Sequence, residues 1–212
     1  NFSGYKNMVG VFNQPRFVIC DLHLLKTLPA RERSNGFAEI VKHAAIGDSV
    51  MFDYLEKEYE NALSLDDRVI EKLVFDSVRI KAEVVSKDEK ESGERRKLNF
   101  GHTFGHAIEK TTSAAHGEAV SAGMLVAAAL SVEQNLLNPK DADRLKYLLQ
   151  KLKLPIRFDI EPERVSDAMR KDKKREGDII RFVLLEAIGK AVMRDTTIGQ
   201  LETVIKLLKD KN

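Results

Sequence analysis

The sequence predicts a mainly α domain with a few short strands. Consecutive stretches between residues 30 and 135 repeat their apolar side chains at helical spacing. Prolines stand at the margins of such stretches, at Pro29, Pro139 and Pro155. Strand-like composition is concentrated around Gly189, close to the carboxyl end.

In chain order, residues 1–15 (NFSGYKNMVGVFNQP) are rich in Gly, Asn, Ser and Pro and read as a loop. Residues 16–20 form a short apolar strand candidate that ends in Cys20. Leu28-Pro29 opens the first helix, because a proline in a first turn loses no intrahelical hydrogen bond. Segments 30–46, 48–62 and 66–87 follow as helices. In the last of them Val69, Leu73, Val74, Val78 and Ile80 are expected to share one buried face. The charge run 87–97 (KDEKESGERRK) reads as a solvated loop that enters LNFGHTFGHAIE (98–109) abruptly. Residues 116–135, dense in Ala, Val, Met and Leu, predict a helix buried on most sides. Pro139 and Pro155 bracket an amphipathic helix, 161–171 reads as another, and 172–178 as a basic loop. A strand pair, 180–187 with 190–195, turns at Gly189, and a last helix covers 198–210. There is no internal repeat, so one domain is expected.

Bulk properties narrow the function. With 43% hydrophobic and 32% charged residues, the 212-residue chain suits a globular protein with a genuine core. A net charge of +2, with both signs intermixed, gives no reason to expect nucleic acid or a membrane surface as partner. No apolar run approaches the roughly 20 residues that span a bilayer. One cysteine, Cys20, rules out a disulfide within the chain and predicts a buried thiol in a reducing cytoplasm. The opening at Asn1, without a methionine, suggests a fragment or a processed piece.

Chemistry is concentrated at the histidines: His23, His43, His102, His106 and His116. His102 and His106 stand at i and i+4, so their rings leave one helix face about 5–6 Å apart. That suits two metal ligands, or one ligand beside an acid/base group. A catalytic zinc site takes three protein ligands and keeps one position open. Glu39, within GFAEIVKHAAI (36–46), is a candidate for a further ligand, since a carboxylate buried unpaired among apolar residues is costly. His43, four residues later, is equally admissible on spacing. Gly101, Gly105 and Gly117 flank the histidines and imply close approach of another backbone or of a ligand. Lys42, Lys81, Arg95, Asn99, Lys173 and Lys174 form a second, mostly cationic set. If they converge near a metal, the pocket suits a small, strongly anionic substrate; Lys42 and Lys81 are expected to be buried.

These segments, GFAEIVKHAAI, then KAEVVSKDEKESGERRKLNFGHTFGHAIE (81–109), HGEAVSAGM (116–124) and DKK (172–174), resemble 3-dehydroquinate synthases in content and order. The resemblance runs from YKNMVGVFNQP (5–15) to the last strand pair and is specific for sugar-phosphate cyclases. It implies the carboxyl-terminal, mostly helical domain of that family. Residues 1–28 would then be a junction with an amino-terminal α/β nucleotide-binding domain, and 29–212 the metal- and substrate-binding domain. That nucleotide-binding domain, about 150 residues in the family, is expected to be missing here. By implication Glu39, His102 and His116 hold Zn2+ (or Co2+), and His106 does acid/base work. Lys42, Lys81, Arg95, Asn99 and Glu91 would be catalytic, while Lys173, Lys174 and Asn7 bind substrate. Lys6 and Leu24, Leu25, Lys26 and Thr27 would line the site of NAD. The implied reaction converts 3-deoxy-D-arabino-heptulosonate 7-phosphate to 3-dehydroquinate and phosphate in the shikimate pathway, in an enzyme that is commonly a homodimer. By itself the chain is expected to bind NAD poorly and to be inactive.

Other readings are a cyclase making an inosose or valiolone ring, a metal-dependent polyol dehydrogenase, and a non-enzymatic helical domain for metal-stabilised assembly. The cationic set argues against the last two, since neither needs so much positive charge.

Overall fold

The structure, a computed structural model, describes residues 9–11, 15–88, 93–156, 175–176 and 179–210. Its helices are α1 (Ala30–Gly47), α2 (Ser49–Leu63), α3 (Asp67–Lys87), α4 (His102–Thr111), α5 (His116–Glu133), α6 (Pro139–Lys151) and α7 (Ile198–Asp210). Two 3-10 turns, Leu22–Thr27 and Glu94–Asn99, precede α1 and α4. Strands β1 (Arg175–Glu176), β2 (Ile179–Ala187) and β3 (Lys190–Thr197) form one antiparallel sheet in that order. Among the described residues, no helix is long and apolar enough to cross a membrane.

Local chemistry sets the helix starts. Asp48 accepts the Met51 N–H at 2.9 Å, and Asp66 accepts those of Arg68 and Val69 at 3.1 Å, each satisfying donors that the first turn leaves open. Asn138 caps α6, with Pro139 in its first turn.

Helix α5 runs through the middle. Ala119, Val120, Met124, Ala127 and Leu130 are all fully buried, and α1, α4, α6, α7 and β2 pack around it. Ser131 ties it to the sheet: its hydroxyl donates to the Ala127 carbonyl at 2.6 Å and accepts the Leu185 N–H at 3.0 Å. The β2–β3 turn docks on the end of α1, where the Gly189 N–H donates to the Ala45 carbonyl at 2.8 Å.

Several expectations are corrected. Residues 16–20 form no strand: Phe17, Val18 and Ile19 are 77%, 74% and 80% exposed, and Cys20 is exposed rather than buried. A strand needs an edge to pair with, and none of the described residues offers one there. The buried face of α3 holds Val69, Ile70, Leu73, Asp76, Ser77 and Ile80, whereas Val78 points to solvent. The charge run ends in a half-buried 3-10 turn rather than in a solvated loop. Arg175 and Glu176, expected in a loop, pair with Ile180 and Ile179. The helix expected at 161–171 lies outside the described residues.

Candidate metal centre

Three helices meet at one point because their backbones approach closely. Gly101 has φ +77°, and a Cβ there would sit 2.8 Å from the Val120 carbonyl oxygen. At Gly105 a Cβ would come 3.1 Å from the Ala119 carbonyl oxygen, and at Gly117 2.5 Å from the Asn35 Cα. Backbone contact, rather than a ligand, therefore accounts for the glycines beside the histidines. The result is α4 seated on α5 and α5 seated on α1.

That seating brings together Glu39 from α1 and the opening residues of α4 and α5, His102 and His116. Glu39 Oε1 lies 3.7 Å from His102 Nε2 and 3.6 Å from His116 Nε2. One ligand atom from each of the three residues lies within 4.8 Å of the others. His102 Nδ1 is 3.2 Å from the Phe100 carbonyl oxygen and His116 Nδ1 is 3.1 Å from Glu109 Oε1. Carbonyl and carboxylate oxygens only accept, so both Nδ1 atoms donate and both Nε2 atoms are turned toward Glu39.

Electrostatics sharpen the picture. Glu39 Oε2 accepts from Lys42 Nζ at 2.5 Å, but Oε1 is buried with no hydrogen-bond partner. A buried carboxylate oxygen left without a donor is unfavourable, and a cation seated between it and the two Nε2 atoms would satisfy it. A carboxylate oxygen with two imidazoles is also a donor set that zinc accepts. The residues therefore fit a divalent metal. Burial by itself would raise the Glu39 carboxyl, but Lys42, through its charge and its hydrogen bond, brings it below the ordinary carboxylate value. Burial pushes the Lys42 ammonium down, against the pull of Glu39. Burial, reinforced by the charge of Lys42, pushes His102 to about 4, so its ring is neutral near pH 7.

His43 separates from this group. It is buried, its Nδ1 lies 2.6 Å from the Ser77 hydroxyl on α3, and burial followed by the Lys42 charge pushes it to about 4. His106 stands beside the donors, with its ring 5.5 Å from that of His102 and edge-on to it, and 6.5 Å from that of His116.

Of the cationic set, Lys42 is 3% exposed, as expected. Lys81 is exposed, at the margin of the α3 buried stripe, although its charge still acts on Lys42 and His43. Arg95 and Asn99 are half-buried on the 3-10 turn that leads into His102. Asp88 shapes that turn by accepting the N–H groups of Gly93 at 2.7 Å and Arg95 at 3.0 Å. Leu24 to Thr27 belong to the first 3-10 turn, where Lys26 pairs with Asp67 at 3.1 Å. Lys6, Asn7, Glu91, Lys173 and Lys174 lie outside the described residues.

Sequence reasoning missed Glu109, Ser77 and the Arg31–Glu118 pair. Glu109 had a signal: it follows His102 by seven residues, on the same helix face. Arg31 donates to Glu118 through Nε at 2.8 Å and Nη2 at 2.7 Å, while Glu118 accepts the Ala115 N–H at 2.9 Å.

The model of the 3-dehydroquinate synthase carboxyl-terminal family matches residues 36–175, and that of the amino-terminal family matches residues 1–35. The chain belongs to the 3-dehydroquinate synthase family. It is 46% identical over 195 residues to the 3-dehydroquinate synthase of Nitrosomonas europaea, covering 90% of this chain and 53% of that protein. With the synthase of a Nitratiruptor species it shares 43% over 209 residues, 97% of this chain and 58% of the other. The chain thus spans about half the length of the curated relatives it matches. Among solved structures, a 2-deoxy-scyllo-inosose synthase complexed with carbaglucose-6-phosphate, NAD+ and Co2+ superposes with TM-score 0.85 at 26% identity, over 98% of this chain and 60% of that one. A 2-epi-5-epi-valiolone synthase from Streptomyces hygroscopicus subsp. jinggangensis, with NAD+ and Zn2+ bound, gives 0.82 at 27%, over 91% and 55%. The mostly helical architecture is therefore that of the corresponding part of sugar-phosphate cyclases.

Proposed function

We propose that the chain is the metal- and substrate-binding part of a 3-dehydroquinate synthase, a phosphate-eliminating lyase acting on 3-deoxy-D-arabino-heptulosonate 7-phosphate. The observation that carries this reading is the orphaned Glu39 oxygen grouped with the Nε2 atoms of two imidazoles, in a chain 46% identical to such a synthase. Residues 29–212 form the working domain in this reading and residues 1–28 the junction with a nucleotide-binding one. Helix α1 supports that division, because it runs unbroken across the point where the two family models meet.

Glu39, His102 and His116 hold the metal. When bound, zinc or cobalt supplies Lewis acidity toward vicinal hydroxyls of the substrate, and NAD supplies a reversible hydride acceptor. Among the described residues there is no Gly-rich strand-to-helix turn to cradle a pyrophosphate. Lys6 and Leu24 to Thr27 are its assigned contacts here.

His106 moves protons at the substrate hydroxyls, being 5.5 Å from the His102 ring and outside the donor trio. Lys42, buried beside Glu39, places fixed positive charge at the floor of the site. Lys81, Arg95, Asn99, Glu91, Lys173, Lys174 and Asn7 hold the phosphate, carboxylate and hydroxyls, so that the anion is confined to one conformation. Turnover needs a nucleotide-binding part as well as these residues, and the complete enzyme works as a cytoplasmic homodimer.

The test is phosphate release from the heptulosonate phosphate with a nucleotide-binding domain supplied. Competing sugar phosphates that lack a carboxylate should release little, and no NADH should accumulate. Preferential release from those competitors, or accumulation of NADH, would replace this reading with another cyclase or with a dehydrogenase.

A further inference from the structure

We infer that Glu109 is a positioning residue for the metal, holding the half-exposed His116 ring in the orientation and tautomer that bind it. The inference rests on the metal reading above and deepens it. His102, His106 and Glu109 occupy positions i, i+4 and i+7 of one α4 face, and the third of them reaches across to the start of α5.

The two histidine ligands differ in what fixes them. The His102 side chain is 14% exposed, so packing restricts its ring, and the Phe100 backbone carbonyl accepts a hydrogen bond from its Nδ1. The His116 side chain is 47% exposed and starts a helix, where packing restrains little. Its backbone is held: Glu118 caps the first turn through Ala115, and Arg31 of α1 grips the same carboxylate with two donors. What remains is rotation of the ring, and Glu109 Oε1, 3.1 Å from Nδ1, stops it. Glu109 is outside the donor trio, on the opposite edge of the imidazole from Nε2. A carboxylate in that position also makes the ligating nitrogen more basic, and loss of such a partner typically weakens metal binding 10- to 100-fold.

The experiment uses the full 212-residue chain, stripped of metal and titrated with Zn2+ against a chromophoric chelator, with Co2+ absorption spectra recorded in parallel. Glu109→Ala should weaken Zn2+ binding about 10- to 100-fold and alter the Co2+ spectrum. Glu109→Gln, which still offers an acceptor oxygen but no charge, should fall between it and the unsubstituted chain. Metal-free melting temperatures should stay alike, which a merely structural role would not allow. Zn2+ affinity of Glu109→Gln and Glu109→Ala within about twofold of the unsubstituted chain overturns the inference while leaving the metal reading intact. So does a loss of metal-free stability in Glu109→Gln that matches its loss of metal. If the unsubstituted chain binds no Zn2+ beyond what His102→Ala binds, the metal reading itself fails and takes this inference with it.

Discussion

Acidification should destabilise the metal-free chain, and His43 permits a worked figure. Burial, then the nearby Lys42 charge, moves this imidazole from its ordinary 6.5 to about 4. The unfolded chain therefore takes up a proton between these values that the folded chain refuses. Stability is fully present above pH 6.5 and is lost as pH falls toward 4. At about 1.4 kcal/mol per pH unit, the shift corresponds to about 3 kcal/mol for this one residue. His102, pushed to about 4 by burial and then Lys42, adds a second contribution of the same sign. Urea unfolding of chelator-treated protein at half-unit steps from pH 7 to 4 measures the slope. His43→Gln keeps a partner for Ser77 and does not titrate, so its profile should be shallower by about one proton. Parallel profiles for the two proteins, or a His43 proton resonance titrating near 6.5, would refute the reasoning.

The remaining predictions concern the ligands and the packing that assembles them. Glu39→Ala and His102→Ala should each abolish zinc retention and activity in the complete enzyme, read as metal content after dialysis; zinc retained in both would show the ligand set to be wrong. Gly117→Ala should push α1 from α5, because its Cβ would lie 2.5 Å from the Asn35 Cα; a cost of about 1–3 kcal/mol and weaker zinc binding are expected, against an unchanged denaturation midpoint if the contact is tolerated. Ser131→Ala should cost about 1–3 kcal/mol in urea unfolding, since the buried Leu185 N–H loses its acceptor.

Much of the architecture was legible because helix signals are local. Apolar spacing and the caps Asp48, Asp66 and Asn138 act within one turn, and expected boundaries such as 66–87 and 198–210 fall within a residue of α3 and α7. Failures came where the outcome depended on distant partners. Residues 16–20 have strand composition but no edge among the described residues to pair with. Lys81 and Val78 sit on α3 positions whose exposure depends on where α1 and α2 stop covering it.

The same division runs through the candidate site. From its letters alone the chain determined which residue types were present at ligand spacing, with glycines beside the histidines. Spacing could not choose between Glu39 and His43, which stand one turn apart on α1. Tertiary structure separates the two, turning His43 toward Ser77 of α3 and Glu39 toward the starts of α4 and α5. The physical reason is that a side chain's neighbours within a turn follow from helix geometry, whereas its neighbours across the core follow from how closely whole helices pack. That closeness is set here at Gly101, Gly105 and Gly117, where a single added Cβ would move one of Glu39, His102 and His116 away from the others.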